Sequence, residues 1–206
     1  MIIRKPNIQN QDSTNAICDT LIVCLGNPGY NWTRHNIASD LMLSLLNSDF
    51  VLSKKEISKN LFLVFFRGFC SFVLISPDLM NISGGKTFQV FKKLNCKNLI
   101  LCCDDLDVKF GQIKKSFKVS SGGHNGTRSI IDSFSHNRFW KVKIGIGRPE
   151  DILLDFTLDV KTFVLKKFTP EEIEKIKENL FMFFQKIYEC KISQELEESN
   201  NSGEDL

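Results

Sequence analysis

Three histidines, His35, His124 and His136, are the side chains of this 206-residue sequence best suited to move a proton at neutral pH. An imidazole titrates near about 6.5, so His35 can take a proton from water and return it. Other chemistry-bearing residues follow apolar runs. Asn27-Pro28-Gly29 follows Leu21–Leu25, Asn81 follows Phe72–Ile75, and Asp104-Asp105-Leu106-Asp107 follows Leu99–Cys103. His35 lies between the first of these clusters and a helical pattern, and Gly122-Gly123-His124-Asn125-Gly126 opens another. A base, a carboxylate and several amides that both donate and accept make a candidate active site where they converge. No Cys pair stands at zinc-ligand spacing from a His, so no metal site is expected.

The elements that must position these groups are legible in part. Leu21–Leu25, Leu61–Phe66, Phe72–Ile75, Leu99–Cys103 and Val142–Ile146 read as strands, several rich in Val, Ile and Phe. Ile37–Leu46, Lys86–Leu94 and Thr127–Phe134 carry apolar residues at helical spacing. Thr169-Pro170-Glu171-Glu172 is a capping box with Pro at the first helical position. The helix it opens is expected to place Ile173, Ile176, Leu180, Phe183 and Ile187 along one face. This alternation predicts an α/β fold: a single domain whose mixed, twisted sheet is covered by helices on both faces. In such sheets functional groups gather where loops leave the carboxyl ends of strands. Residues 1–19 are expected to be a flexible extension, 20–192 the folded domain, and 193–206 an acidic disordered tail. Arg4 and Lys5, among few acids, are also compatible with a short organellar presequence.

Composition excludes some classes. With 42% hydrophobic residues the chain is no disordered polymer, and no apolar run reaches the roughly 20 residues that span a bilayer. The net charge of +3 is too small to prove a polyanionic partner, but its distribution is uneven. Nine basic residues and one acid lie between Lys109 and Arg148, whereas six acids and one Lys follow from Glu189 onward. The basic block can draw in a phosphate backbone. A face that merely keeps a Phe-rich protein soluble accounts for it equally well. The seven Cys are odd in number, lack a CxxC and fall mostly within apolar runs. They are expected to be reduced, buried thiols in a reducing compartment.

LIVCLGNPGYNWTRHN (21–36), LMNISGG (79–85), DDLDVKFG (104–111), GGHNG (122–126) and KIGIGRP (143–149) occur in this order. Together they resemble the bacterial-type peptidyl-tRNA hydrolases over about residues 20–188. The resemblance implies hydrolysis of the ester joining a peptide to the 3′ ribose of tRNA, without metal or cofactor. It implies a cytoplasmic monomer that binds the acceptor stem and 3′ end of peptidyl-tRNA and no membrane. By the same resemblance His35 is the general base, Asp104 orients it, and Asn27 orients the substrate amide and the water. Asn81, Asn125, Tyr30 and Leu79 would hold the tRNA 3′ end and the peptide, and Lys118 and Lys143 the RNA phosphates. There is no GxSxG elbow and no Cys beside His35, so water is the natural nucleophile.

Several positions depart from the family pattern. Leu79 stands where an aromatic residue is usual, the loop before Tyr30 is about two residues short, and so is the segment before Gly122. Lys143 replaces an Arg, keeping the charge and losing the planar fork. A non-catalytic RNA-binding relative is the competing reading, and the complete His35, Asp104 and Asn27 set weighs against it. A different ester or amide hydrolase on the same fold fits the basic block least well.

Overall fold

The computed structural model describes residues 18–152 and 157–201. Seven strands form one sheet: β1 (Thr20–Cys24), β2 (Val51–Ser58), β3 (Leu61–Phe66), β4 (Phe69–Ile75), β5 (Asn98–Asp105), β6 (Ile113–Phe117) and β7 (Trp140–Gly145). Their spatial order is β2-β3-β4-β1-β5-β7-β6. The most apolar runs take the middle because both of their faces must be covered. There β4, β1, β5 and β7 are parallel neighbours. The outer strands β2, β3 and β6 run antiparallel to their partners, so the sheet is mixed as expected.

Helices cover both faces: α1 (Ile37–Leu45), α2 (Ser83–Lys93), α3 (Asn125–Phe134), α4 (Pro149–Ile152), α5 (Val160–Leu165), α6 (Pro170–Glu178) and α7 (Leu180–Asn201). Strand alternation divides the core. Ile22, Cys24, Ile100, Cys102, Val142 and Ile144 pack with Leu41 of α1, Phe163 of α5 and Phe183 of α7. Leu21, Val23, Leu99, Leu101 and Cys103 pack on the other face with Phe88 of α2 and Ile130 and Phe134 of α3. Fully burying a side chain such as Phe183 stabilises by roughly 1.5–3 kcal/mol. Helices α2 and α3 meet at Gly84, where an added Cβ would lie 2.0 Å from the Ser129 carbonyl oxygen. Only a glycine permits that approach.

Three sequence expectations are corrected, and two strands are added to those expected. Strands β2 and β6 carry no apolar run because both are charged: Lys54, Lys55 and Glu56 on one, Lys114 and Lys115 on the other. Both are edge strands, where such charges discourage pairing with another chain. The helix expected to run from 170 through 187 is two, divided at Asn179, whose carbonyl accepts the Phe183 N–H at 2.9 Å. The acidic tail expected from residue 193 is helical as far as Asn201. Its buried stripe continues with polar members. The Lys191 ammonium donates to Asp19 at 2.9 Å, and Gln194 is buried beside the start of β5. Finally, Cys18 and Cys70 form a disulfide, and the five other thiols are free and buried. Apart from Cys18 and Asp19, the expected N-terminal extension lies outside the described residues, as does the end of the expected tail.

Candidate active site

Parallel strands deliver the site to one edge of the sheet. Asp104 is the penultimate residue of β5, and Gly26-Asn27 lies just beyond the end of β1. The chain then crosses to α1 through a single turn of 3-10 helix, Arg34–Asn36, and that turn carries His35. His35 Nδ1 lies 2.9 Å from Asp104 Oδ1. The carboxylate side chain is 3% exposed and the imidazole 13%. The ionised carboxylate only accepts, so the proton sits on His35 Nδ1 and leaves Nε2 as a basic lone pair.

Burial alone would lower the His35 pKa, but the charge of Asp104 and its hydrogen bond outweigh it and the pKa is raised. Burial alone would push the Asp104 carboxyl up. His35 first, and then His124, hold it well below the usual carboxylate range. The neighbouring Cys103 is a poor nucleophile, since burial pushes its thiol up to about 11.

His124 is a member of this centre that motif reading did not assign. Its Nε2 lies 2.9 Å from the same Asp104 Oδ1, and its ring centroid is 4.8 Å from that of His35. It is also the N-cap of α3, its Nδ1 accepting the Thr127 N–H at 3.2 Å. Among the described residues, His35, Asp104 and His124 are the group whose donor atoms cluster closely enough to suggest a cation site, within 4.8 Å of one another. Both imidazole nitrogens concerned already face one carboxylate oxygen at hydrogen-bond distance, which makes the cluster a hydrogen-bonded chain.

The asparagines are joined to this chain through the backbone. Asn27 N–H donates to Asn36 Oδ1 at 2.9 Å, and Asn36 Nδ2 donates back to the Asn27 carbonyl at 2.8 Å. Asn27 Oδ1 accepts the Met80 N–H at 2.8 Å, which fixes the turn bearing Asn81. Its Nδ2 has no partner among the described residues and remains a donor. Asn125 is the first residue of α3, beside His124. An added Cβ on Gly126 would lie 2.4 Å from Met80 Sδ, so the Asn81 and Asn125 turns abut. Asn81 and Asn125 are exposed, as are Tyr30 at 51% and Leu79 at 50%.

Two further residues hold the turn that carries His35. Asp40 Oδ2 accepts the Trp32 N–H at 2.7 Å and pins the short loop at a residue whose φ is 58°. Burial pushes the Asp40 carboxyl up to about 6. Arg34 is buried between the rings of Phe163 and Phe168 and donates to Glu172 Oε1 at 2.7 Å.

The expected phosphate contacts are less unified. Lys143 pairs with Asp105 at 3.1 Å, one residue from Asp104. Lys118 follows β6 beyond the start of β7, roughly 15 Å of strand from the Asp104 end. Within the basic block Lys141 is buried, and Lys115 faces Glu189 and the Trp140 ring. Lys114, Lys118 and Arg128 are exposed.

The sequence and the fold have relatives among known proteins. A family model for peptidyl-tRNA hydrolase matches residues 21–205. The chain belongs to the peptidyl-tRNA hydrolase family. A peptidyl-tRNA hydrolase of Clostridium botulinum (strain Alaska E43 / Type E3) is 36% identical over 165 residues, covering 78% of this chain and 83% of the relative. A chloroplastic peptidyl-tRNA hydrolase of Arabidopsis thaliana is 37% identical over 162 residues, covering 76% of this chain and 54% of its own. The crystal structure of a peptidyl-tRNA hydrolase from Acinetobacter baumannii matches the fold with a TM-score of 0.63 at 23% identity, covering 89% of this chain and 94% of that one. Among the described residues no helix is long and apolar enough to cross a membrane.

Proposed function

We propose that this member of the family cleaves the peptidyl-tRNA ester by activating water at His35. The observation that carries the reading is the hydrogen bond from His35 Nδ1 to a buried carboxylate, which presents Nε2 as the base. As water attacks the ester carbonyl carbon, its proton passes to Nε2 and the carbonyl oxygen becomes an oxyanion. Asp104 favours the imidazolium that forms. When the tetrahedral centre collapses, the bond to the ribose 3′ oxygen breaks and the imidazolium returns its proton to that oxygen. The products are free tRNA and a peptide carboxylic acid, which releases its proton to solvent and leaves as the carboxylate.

Asn27 Nδ2 supports selection at the first amide of the peptide. An N-blocked substrate offers that donor a carbonyl oxygen, whereas a free aminoacyl-tRNA brings an ammonium group that only donates. Asn81, Asn125, Tyr30 and Leu79 form the exposed surface for the 3′ end and the peptide. The reading is of a cytoplasmic monomer with no metal in its reaction, whose chloroplastic relative shows that location varies within the family. Incubation with N-acetylated and free aminoacyl-tRNA tests it. Ester cleavage is expected for the blocked substrate alone, and equal cleavage of both would remove Asn27 from this role.

The lysines give a second expectation. Lys114 stands directly opposite Lys143 on the same face of the β6–β7 pair. Lys143 already pairs with Asp105, which leaves the exposed Lys114 ammonium as the charge there for a phosphate to meet. Replacing Lys114 and Lys118 with Gln should weaken binding of full-length tRNA and flatten its salt dependence by roughly 0.9 for each phosphate left without its lysine. Filter binding across a salt series measures both, and an unchanged slope would leave these lysines as solvated surface.

A further inference from the structure

His124 does more in this arrangement than cap a helix. The Thr127 N–H donates to its Nδ1, so that nitrogen must carry a lone pair. The ring proton then sits on Nε2, 2.9 Å from Asp104 Oδ1. Two imidazole N–H groups therefore converge on one carboxylate oxygen, one from the base and one from a ring whose other nitrogen is held by the backbone. A carboxylate oxygen has room for both donors, but each draws on the same negative charge.

We propose that His124 is a positioning residue of the hydrolytic centre, a neutral second donor that fixes the Asp104 carboxylate and moderates the charge it presents to His35. The inference rests on His35 acting as the base. The consequence is directional. With the donor of His124 removed, the full Asp104 charge falls on His35, its imidazolium is favoured, and the base remains protonated to higher pH. The other charged groups near the centre do not supply this effect. Arg34 faces Glu172, Lys143 faces Asp105, Asp40 holds the Trp32 N–H, Lys141 acts on the Cys103 thiol, and Arg128 is exposed on α3.

Two substitutions separate the donor from the cap. In His124→Asn the side-chain oxygen replaces Nδ1 as acceptor for Thr127 N–H, since Asn is among the best N-cap residues, but nothing reaches Asp104. In His124→Gln a donor returns near the place of Nε2. The ring resonances of the three histidines are few enough to follow individually by NMR through a pH titration. The companion measurement is the pH profile of kcat/KM on N-acetyl-aminoacyl-tRNA.

In His124→Asn, the His35 titration and the acid limb of the profile should both move up by about one unit, with the high-pH plateau kept within a few-fold. His124→Gln should bring both back, and Asp104→Asn should move the His35 titration the opposite way. Unmoved titration, a downward shift, or a uniform loss of rate across pH would each overturn the proposal and leave His124 as a cap. His124→Ser, also a good N-cap without the donor, gives the same reading if the Asn chain fails to fold. The titration needs no turnover. Absence of cleavage by the unsubstituted protein would therefore sink the enzymatic reading while the role of His124 is still decided.

Discussion

His35→Ala is expected to lose roughly 10²–10⁴-fold in hydrolysis of N-blocked aminoacyl-tRNA while its affinity for full tRNA stays within a few-fold. A general base acts on a proton that moves only in the transition state, so removing one lowers kcat and kcat/KM together and spares ground-state binding. His35 is well suited to such isolation. Its side chain contributes Nδ1 to Asp104, whereas the turn that carries it is held by its neighbours Arg34 and Asn36. Single-turnover cleavage with a parallel binding titration checks both halves. A loss below about tenfold would move the proton-accepting role elsewhere, and a matching loss of affinity would make the imidazole part of the binding surface.

Asp104→Asn should cost at least as much. A carboxamide offers one oxygen and one NH2 where two imidazole N–H groups now point. The NH2 is best satisfied by a bare Nδ1 on His35, and that tautomer places the proton on the nitrogen that must accept one. The same change in a serine-protease triad costs about 10⁴, and a loss of about 10³ or more is expected here. The variant should still fold, because the carboxamide fills the same space and can still hydrogen-bond to the rings it touches.

Its stability should carry a pH signature. The folded Asp104 pKa is depressed, so ionisation contributes stability above the unfolded value of about 3.9 that is lost as pH falls below it. Denaturant midpoints of the two proteins should differ at pH 7 and converge on acidification. Parallel curves would show that Asp104 carries no such charge in the folded state.

What the sequence revealed and what it hid divide along physical lines. Strands β1, β3, β4, β5 and β7 advertise themselves because apolar Val, Ile, Leu and Phe have to be buried there. Strands β2 and β6 are Lys-rich, and a strand whose outer face meets water has no need of an apolar pattern. The last helix outlasts its apolar stripe because Lys191 finds Asp19, a partner 172 residues away. No local pattern announces such an ion pair. The pairing of Cys18 with Cys70 is invisible for the same reason, since spacing alone does not fix partners.

In the site, His35 and Asp104 were legible as residue types beside strand ends, and their contact follows from the parallel order of β1 and β5. His124 left a weaker trace, as a histidine opening a helix between glycines and Asn125. Its bond to Asp104 joins residues 20 apart and depends on how α3 leans across the end of β5. Lys115 shows the reverse case. It lies in the basic block by sequence, yet alternation along β6 turns it toward α7, away from Lys114.

Glu172 has a bearing on how the protein breathes. One of its carboxylate oxygens receives Arg34, the residue before His35, and the other receives the Thr169 N–H that starts α6. Phe168 N–H also reaches back to the Trp32 carbonyl at 2.9 Å. The turn that bears His35 and a helix start 138 residues downstream should therefore open as one cooperative unit. Amide protons of Arg34, Asn36, Phe168 and Ile173 should exchange with solvent at a common rate set by a single opening event. Loosening the start of α6 would then silence the enzyme from a distance, through a segment that holds no catalytic group.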